Sequence, residues 1–70
     1  MLKKINYNLI ETLLVISKSL QRYEGYVEDS AECESCQKLW AAIKEQREKE
    51  QAMILKELKI HIEAGLMHLE

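Results

Sequence analysis

The fold is decided by residues 36–69, CQKLWAAI-KEQREKEQ-AMILKELKIHIEAGLMHL. Apolar residues recur in this segment every three or four positions, which is the spacing of one face of an α-helix. The central octet, Lys44 to Gln51, is polar and interrupts the apolar stripe. We therefore predict one long helix, helix B, at about residues 36–67, with a polar segment in its middle.

A second amphipathic segment precedes helix B and predicts helix A, at about residues 2–28. Its stripe of inward positions includes Leu9, Leu13 and Ile16, at helical spacing. Further apolar residues lie on the flanks and back of this helix: Tyr7, Ile10, Leu14 and Val15. A helix that is apolar nearly all round is usually covered on more than one side. We therefore expect a second chain to cover helix A.

The polar run between the two helices, at about residues 29–35, predicts a turn. Asp29 and Glu32 have the spacing of a capping box, and Ser30 and Ser35 are alternative N-caps of helix B. A connection this short places two helices side by side and antiparallel.

The 70-residue chain has no proline and only two glycines, so its composition favours helices. A chain of this length buries a small fraction of its surface and usually needs a staple, a metal or a partner. We predict an all-α protein with a single domain, residues 1–70, formed by an antiparallel two-helix hairpin that dimerises into a four-helix bundle. Helix A would be central in the shared core, with Leu9, Leu13 and Ile16 at the interface.

Charge and hydropathy exclude two classes of partner. The net charge is −2 and the signs are mixed along the chain, so there is no basic stripe for nucleic acid. No apolar run approaches the roughly 20 residues that span a bilayer, and no secretion signal is evident. We therefore expect a cytoplasmic protein whose two cysteines serve as thiols or metal ligands rather than as a disulfide framework.

The octet has two structural interpretations. At about 100° per residue, Arg47 lies on the same face of helix B as Trp40 and Ile43, where a core residue is expected. In the first interpretation this segment is solvated, and Arg47 pairs with Glu50 or Gln51. In the second, the octet meets its symmetry mate in the dimer and forms a polar layer that fixes the register.

Residues 22–29, RYEGYVED, and residues 39–58, LWAAIKEQREKEQAMILKEL, resemble the first helical pair of the ferritin-like and rubrerythrin superfamily. That pair carries a metal-binding Glu-x-x-His motif. Glu48 falls on the glutamate of the motif, whereas Gln51 stands where the histidine is expected. The resemblance implies a ferritin-like half-bundle that is completed by dimerisation.

The same resemblance implies, as an alternative, a di-metal carboxylate site that binds or oxidises iron. Such a site needs an inward glutamate on the first helix, and the candidates are Glu11 and Glu24. Glu11 lies on the side of helix A opposite the apolar stripe, and Glu24 lies near the turn.

Cys33-x-x-Cys36 opens helix B, where the helix dipole favours the thiolate form. Three interpretations remain open: a structural pair with Cys36 in the core, a zinc site completed by a second chain, and a thiol redox site.

Two further groups of side chains lie on helix B. Glu57, His61 and His68 share a face near its end, where histidine is also favoured by the helix dipole. Trp40 is a predicted core anchor near the turn. Tyr23 and Tyr26 of helix A are expected to pack against it.

The predicted function is that of a small self-associating helical module, non-catalytic, for assembly or partner binding. No cofactor is expected on this interpretation. The alternatives are an iron-binding or iron-oxidising protein that uses Glu48 and Glu24, and a thiol redox or metal-binding protein that uses Cys33 and Cys36.

Overall fold

The computed structural model describes residues 3–67, and all regular structure in that range is helical. Helix α1 spans Lys4–Asp29 and helix α2 spans Glu34–Glu63. Hydrogen bonds from Asn6 to Leu66 and from Gln37 to Val27 connect the two helices near both ends, so they run antiparallel. The predicted all-α hairpin is confirmed, and its dimerisation into a four-helix bundle remains a prediction.

The connection between the helices is capped differently from the prediction. Cys33 is the N-cap of α2, and its Sγ accepts a hydrogen bond from the backbone N–H of Cys36 at 3.2 Å. The predicted caps of α2 at Asp29, Ser30 and Ser35 are therefore wrong. Ser30 instead closes α1, because its hydroxyl donates to the carbonyl of Tyr26 at 2.8 Å.

Helix α2 ends earlier than predicted, at Glu63 instead of about residue 67. Gly65 has φ +71°, a left-handed conformation that glycine adopts without a Cβ penalty. The backbone N–H of Leu66 then donates to the carbonyl of His61 at 2.8 Å, as at other helix ends with a left-handed residue. The predicted stripe residue Leu2 and the predicted site residue His68 lie outside the described residues.

The hairpin has a small core. Within residues 3–67 the buried hydrophobic side chains are Ile16 and Tyr23, which are 9% and 8% exposed. The predicted aromatic cluster is present: the ring centroids of Tyr23 and Trp40 are 6.1 Å apart, and those of Tyr26 and Trp40 are 4.9 Å apart. This cluster anchors the end of the hairpin that contains the turn.

The molecule is a flat slab that measures 51 × 19 × 12 Å. Its accessible surface is 5487 Å², whereas a folded monomer of 8.2 kDa is expected to have about 4,500 Å². The difference of about 1,000 Å² follows from the shape, since two helices side by side leave both broad faces of the slab open. No helix within residues 3–67 combines the length and the hydropathy that a membrane span requires.

Candidate functional site

A polar cluster on α2 involves Arg47, in the middle of the octet. Arg47 forms an ion pair with Glu50, the i,i+3 pairing expected from the sequence, and its guanidinium lies near the hydroxyl of Tyr23. The hydrogen bond to Glu50, followed by the interaction with Tyr23, raises the pKa of Arg47 above its ordinary value. The guanidinium therefore stays charged, and its half-buried side chain lies beside the aromatic cluster.

The octet also contacts α1 through Gln51, whose Nε2 donates to the hydroxyl of Ser17 at 3.0 Å. Together with the hydrogen bond from Gln37 to Val27, this contact places the octet opposite residues 17–22 of α1. The octet therefore does not face the most apolar part of α1, residues 9–16. The contacts at the two ends of the hairpin set its register, and this register aligns the octet with a more polar part of α1.

A second polar cluster joins the open ends of the two helices, and the sequence analysis missed its central residue, Asn6. Asn6 is 0% exposed, and its Nδ2 donates to the carbonyl of Leu66 at 2.9 Å. Its Oδ1 lies 2.7 Å from Nδ1 of His61. The Leu66 carbonyl only accepts hydrogen bonds, so it fixes the orientation of the amide. Nδ1 of His61 must then carry the proton that Asn6 accepts.

The other ring nitrogen of His61 faces an open groove. Its Nε2 lies 3.4 Å from the carboxylate of Glu57, which is one helical turn earlier on the face that the two residues were expected to share. The groove has a volume of about 500 Å³. It is lined by Ile5, Asn8, Leu9, Thr12, Ile54, Glu57 and His61. Among the described residues that line it, Glu57 is the one acidic side chain.

The predicted carboxylate ligands Glu24 and Glu48 do not belong to a ready-made metal site in the described part of the chain. Glu24 and Glu48 are both exposed. Within residues 3–67, no three side chains of histidine, cysteine, aspartate or glutamate lie close enough to hold one metal ion. A metal site built on Glu24 and Glu48 therefore needs ligands from a second chain, and it remains a prediction.

Cys33 and Cys36 form a disulfide with 5.2 Å between their Cα atoms. The sequence favoured thiols or metal ligands over a disulfide, so the structure differs on this point. Cys36 is half-buried like Cys33 and does not lie in the core. The pairing follows from local geometry, since the N-cap and the third residue of a helix lie close enough for their side chains to meet.

Large apolar side chains are exposed on both helices near the open end of the hairpin. The stripe residues Leu9 and Leu13 are half-buried and Ile16 is buried, so the predicted interface residues face α2 of the same chain. Successive residues of a helix are rotated by about 100°, so Ile10 and Leu14 lie to one side of this stripe on α1.

Helix α2 also exposes apolar residues on one flank. The half-buried residues Ile54 and Leu58 mark the side of α2 that faces α1. Viewed along the helix axis, Leu55 and Ile62 are rotated from that side by about 60 to 80°, in the same sense as Ile10 and Leu14 on α1. Because the helices are antiparallel, flanks with the same rotational sense lie on the same broad face of the hairpin. The groove supports this geometry, because its residues Thr12 and Glu57 turn the other way and meet on the opposite face.

We call this surface the broad apolar face. Its members are Tyr7, Ile10, Leu14, Leu55 and Ile62, which are 41 to 63% exposed. By the same angular reasoning, Glu24 and Glu48 lie on this face nearer the turn. The hydrogen bonds from Gln37 to Val27 and from Gln51 to Ser17 place Glu24 on the turn side of the octet, near the level of Trp40, whose ring stacks on Tyr23.

Fold and surface together define an all-α helical hairpin that exposes large apolar side chains, among them those of the broad apolar face. Comparisons with protein-family models, with curated proteins and with solved structures find no match to this chain.

Proposed function

We propose that the protein is a self-associating helical module, in which two hairpins join through the broad apolar face and serve assembly or partner binding. The observation that carries this proposal is the contrast between core and surface. Two hydrophobic side chains are buried within residues 3–67, whereas the broad apolar face exposes five large ones. Contiguous exposed apolar patches on soluble proteins commonly mark interaction sites.

The surface area supports a second copy of the chain as the occupant. The hairpin exposes about 1,000 Å² more than a folded monomer of its mass is expected to expose. A standard protein interface buries about 800 Å² on each partner. One copy packed on the broad apolar face would therefore remove an area close to the excess, and four helices would surround one core as in other bundles.

Sedimentation equilibrium tests this proposal. We expect a dimer or a higher oligomer at micromolar concentration, and a midpoint of thermal unfolding that rises with protein concentration because association stabilises the fold. A protein that stays monomeric and has an unfolding midpoint independent of concentration contradicts the proposal.

The positions of Glu24 and Glu48 favour a second candidate, a di-metal carboxylate protein. Both carboxylates are exposed on the broad face, between the turn and the middle of the hairpin. A mate that packs in parallel, with its turn at the same end, would bring four carboxylates together. Such a set suits hard cations such as iron, which the ferritin-like resemblance implies.

Metal analysis of protein purified without a histidine tag separates the two candidates. A metal protein would contain about two iron ions per dimer. Glu48→Ala would abolish the binding, whereas Glu45→Ala would not, because Glu45 pairs with Lys49 and is exposed elsewhere on α2. A dimer that binds no iron when iron is supplied leaves the assembly module as the function.

A further inference from the structure

We propose that Cys33 and Cys36 form a dithiol–disulfide exchange site, with Cys33 as the attacking thiolate and a preference for cationic disulfides. The site lies at the turn, away from the open end where the broad apolar face is found. The proposal is therefore independent of self-association, and either can fail without the other.

The start of α2 stabilises negative charge on the sulfur of Cys33. Cys33 is the N-cap, its Sγ accepts from the N–H of Cys36 at 3.2 Å, and the Ser35 hydroxyl lies 3.4 Å from the same sulfur. The helix that follows has 30 residues, and the positive end of its dipole is at this terminus. Thiols in this environment are commonly reactive thiolates.

A purely structural disulfide would be of little use at this position. Disulfides stabilise folds largely by restricting the unfolded chain, and the effect grows with the length of the closed loop. Cys33 and Cys36 are three positions apart, so the loop is among the shortest that a disulfide closes. The adjoining helix is already capped by the sulfur of Cys33.

A partner can reach the site from solvent. The residues on both sides of Cys33, namely Glu32 and Glu34, are exposed, as is Ala31 in the connection. Leu39, three residues after Cys36 on α2, is also exposed and offers an apolar side chain to a partner that reaches this end of the helix.

The charges around the site are acidic. Glu28, Asp29, Glu32 and Glu34 are exposed close to Cys33 in the chain. The cation nearest in sequence, Lys38, forms an ion pair with Glu34 at 3.2 Å. The resulting negative field attracts cationic disulfides and repels anionic ones, and salt weakens both effects.

The exchange is balanced in electrons and protons. In the reduced protein, the Cys33 thiolate attacks one sulfur of the partner disulfide, whose S–S bond breaks, and the released thiolate takes a proton from solvent. The Cys36 thiol then loses its proton and attacks Sγ of Cys33, which expels the second partner thiolate. This second thiolate also takes a proton from solvent. Counted from the Cys33 thiolate and the Cys36 thiol, the protein loses two electrons and one proton. The partner disulfide gains two electrons and two protons, one of which Cys33 had released to solvent when it ionised.

Single-cysteine variants test which thiol attacks. Reduced Cys36→Ser is expected to form a mixed disulfide with cystamine about tenfold faster than reduced Cys33→Ser, measured by mass spectrometry of quenched samples. Circular dichroism of both variants must show the helical signal of the wild type. Equal rates, or a faster reaction of Cys33→Ser, would overturn the assignment of Cys33.

Charge selectivity tests the class of partner. The quantity measured is the rate of reaction with cystamine divided by the rate with oxidised glutathione. At low ionic strength this ratio is expected to be about tenfold higher for the reduced wild type than for dithiothreitol, which serves as the reference thiol. The preference should shrink in 0.5 M salt, at which charges are screened over about 4 Å, and in the double variant Glu32→Gln, Glu34→Gln. A ratio equal to that of dithiothreitol would overturn the proposed preference for cationic disulfides.

Discussion

Replacing Leu14 by aspartate tests whether the broad apolar face mediates self-association. Leu14 is 52% exposed in the hairpin, so the interface would bury about half of its side chain. Burial of that half of the side chain stabilises the dimer by about 1 kcal/mol, and the substitution removes it from both chains of a twofold dimer. The carboxylate left against apolar residues adds at least about 1 kcal/mol more. We therefore expect the dissociation constant to rise by at least about 100-fold.

Val15→Asp is the matched control. Val15 is 61% exposed, follows Leu14 on the same helix and receives the same new charge. It points about 100° away from Leu14, off the broad apolar face. Sedimentation equilibrium of both variants over a range of concentrations measures the two dissociation constants. Equal losses in both variants, or a Leu14→Asp variant that associates like the wild type, would refute the assignment of this face.

Three further predictions concern the stability of the hairpin, measured by urea unfolding at one fixed protein concentration. Asn6→Ala removes the buried hydrogen bonds to Leu66 and His61 and is expected to lower the free energy of unfolding by about 1 to 3 kcal/mol, whereas the exposed control Asn8→Ala should change it little. Gly25→Ala adds a Cβ that meets no atom within 4 Å in a helix and should stabilise by up to about 1 kcal/mol. Gly65→Ala should destabilise by about 1 kcal/mol because its φ is +71°. A loss from Gly25→Ala or a gain from Gly65→Ala would contradict the geometry of these two positions.

Periodicity was sufficient to predict both helices, the hairpin and the packing of Tyr23 and Tyr26 on Trp40. These features depend on local spacing, which the sequence displays directly. The end of α2 was also encoded, by Gly65 after the last periodic residues with His61 in the last turn, but the continuing apolar residues concealed that signal.

Other features depend on tertiary register, which periodicity does not define. The partner of the octet is set by contacts at the two ends of the hairpin, so the pairing of Gln51 with Ser17 could not be predicted. Asn6 occupies the flank of an apolar stripe, where a polar residue usually faces solvent, and only its contacts with His61 and Leu66 show that it is buried. The cap at Cys33 was missed because serine, threonine, aspartate and asparagine are the preferred N-caps.

The role of Arg47, Glu50 and Gln51 in fixing the register of a dimer remains a prediction, as does a cytoplasmic location. Within one hairpin these three side chains already have partners, since Arg47 pairs with Glu50 and Gln51 donates to Ser17. These contacts are compatible with the first interpretation of the octet, a solvated segment within each hairpin that makes no contact across an interface.

Photo-crosslinking tests the central claim most directly. A benzophenone amino acid is placed either at Leu55, on the broad apolar face, or at Met53, which is exposed on the other flank of α2. We predict that irradiation of the Leu55 variant gives a covalent dimer linked to residues of the broad apolar face of the second chain, identified by mass spectrometry, and that the Met53 variant gives none. Crosslinked dimers from Met53 but not from Leu55 would show that the hairpins join through a different face.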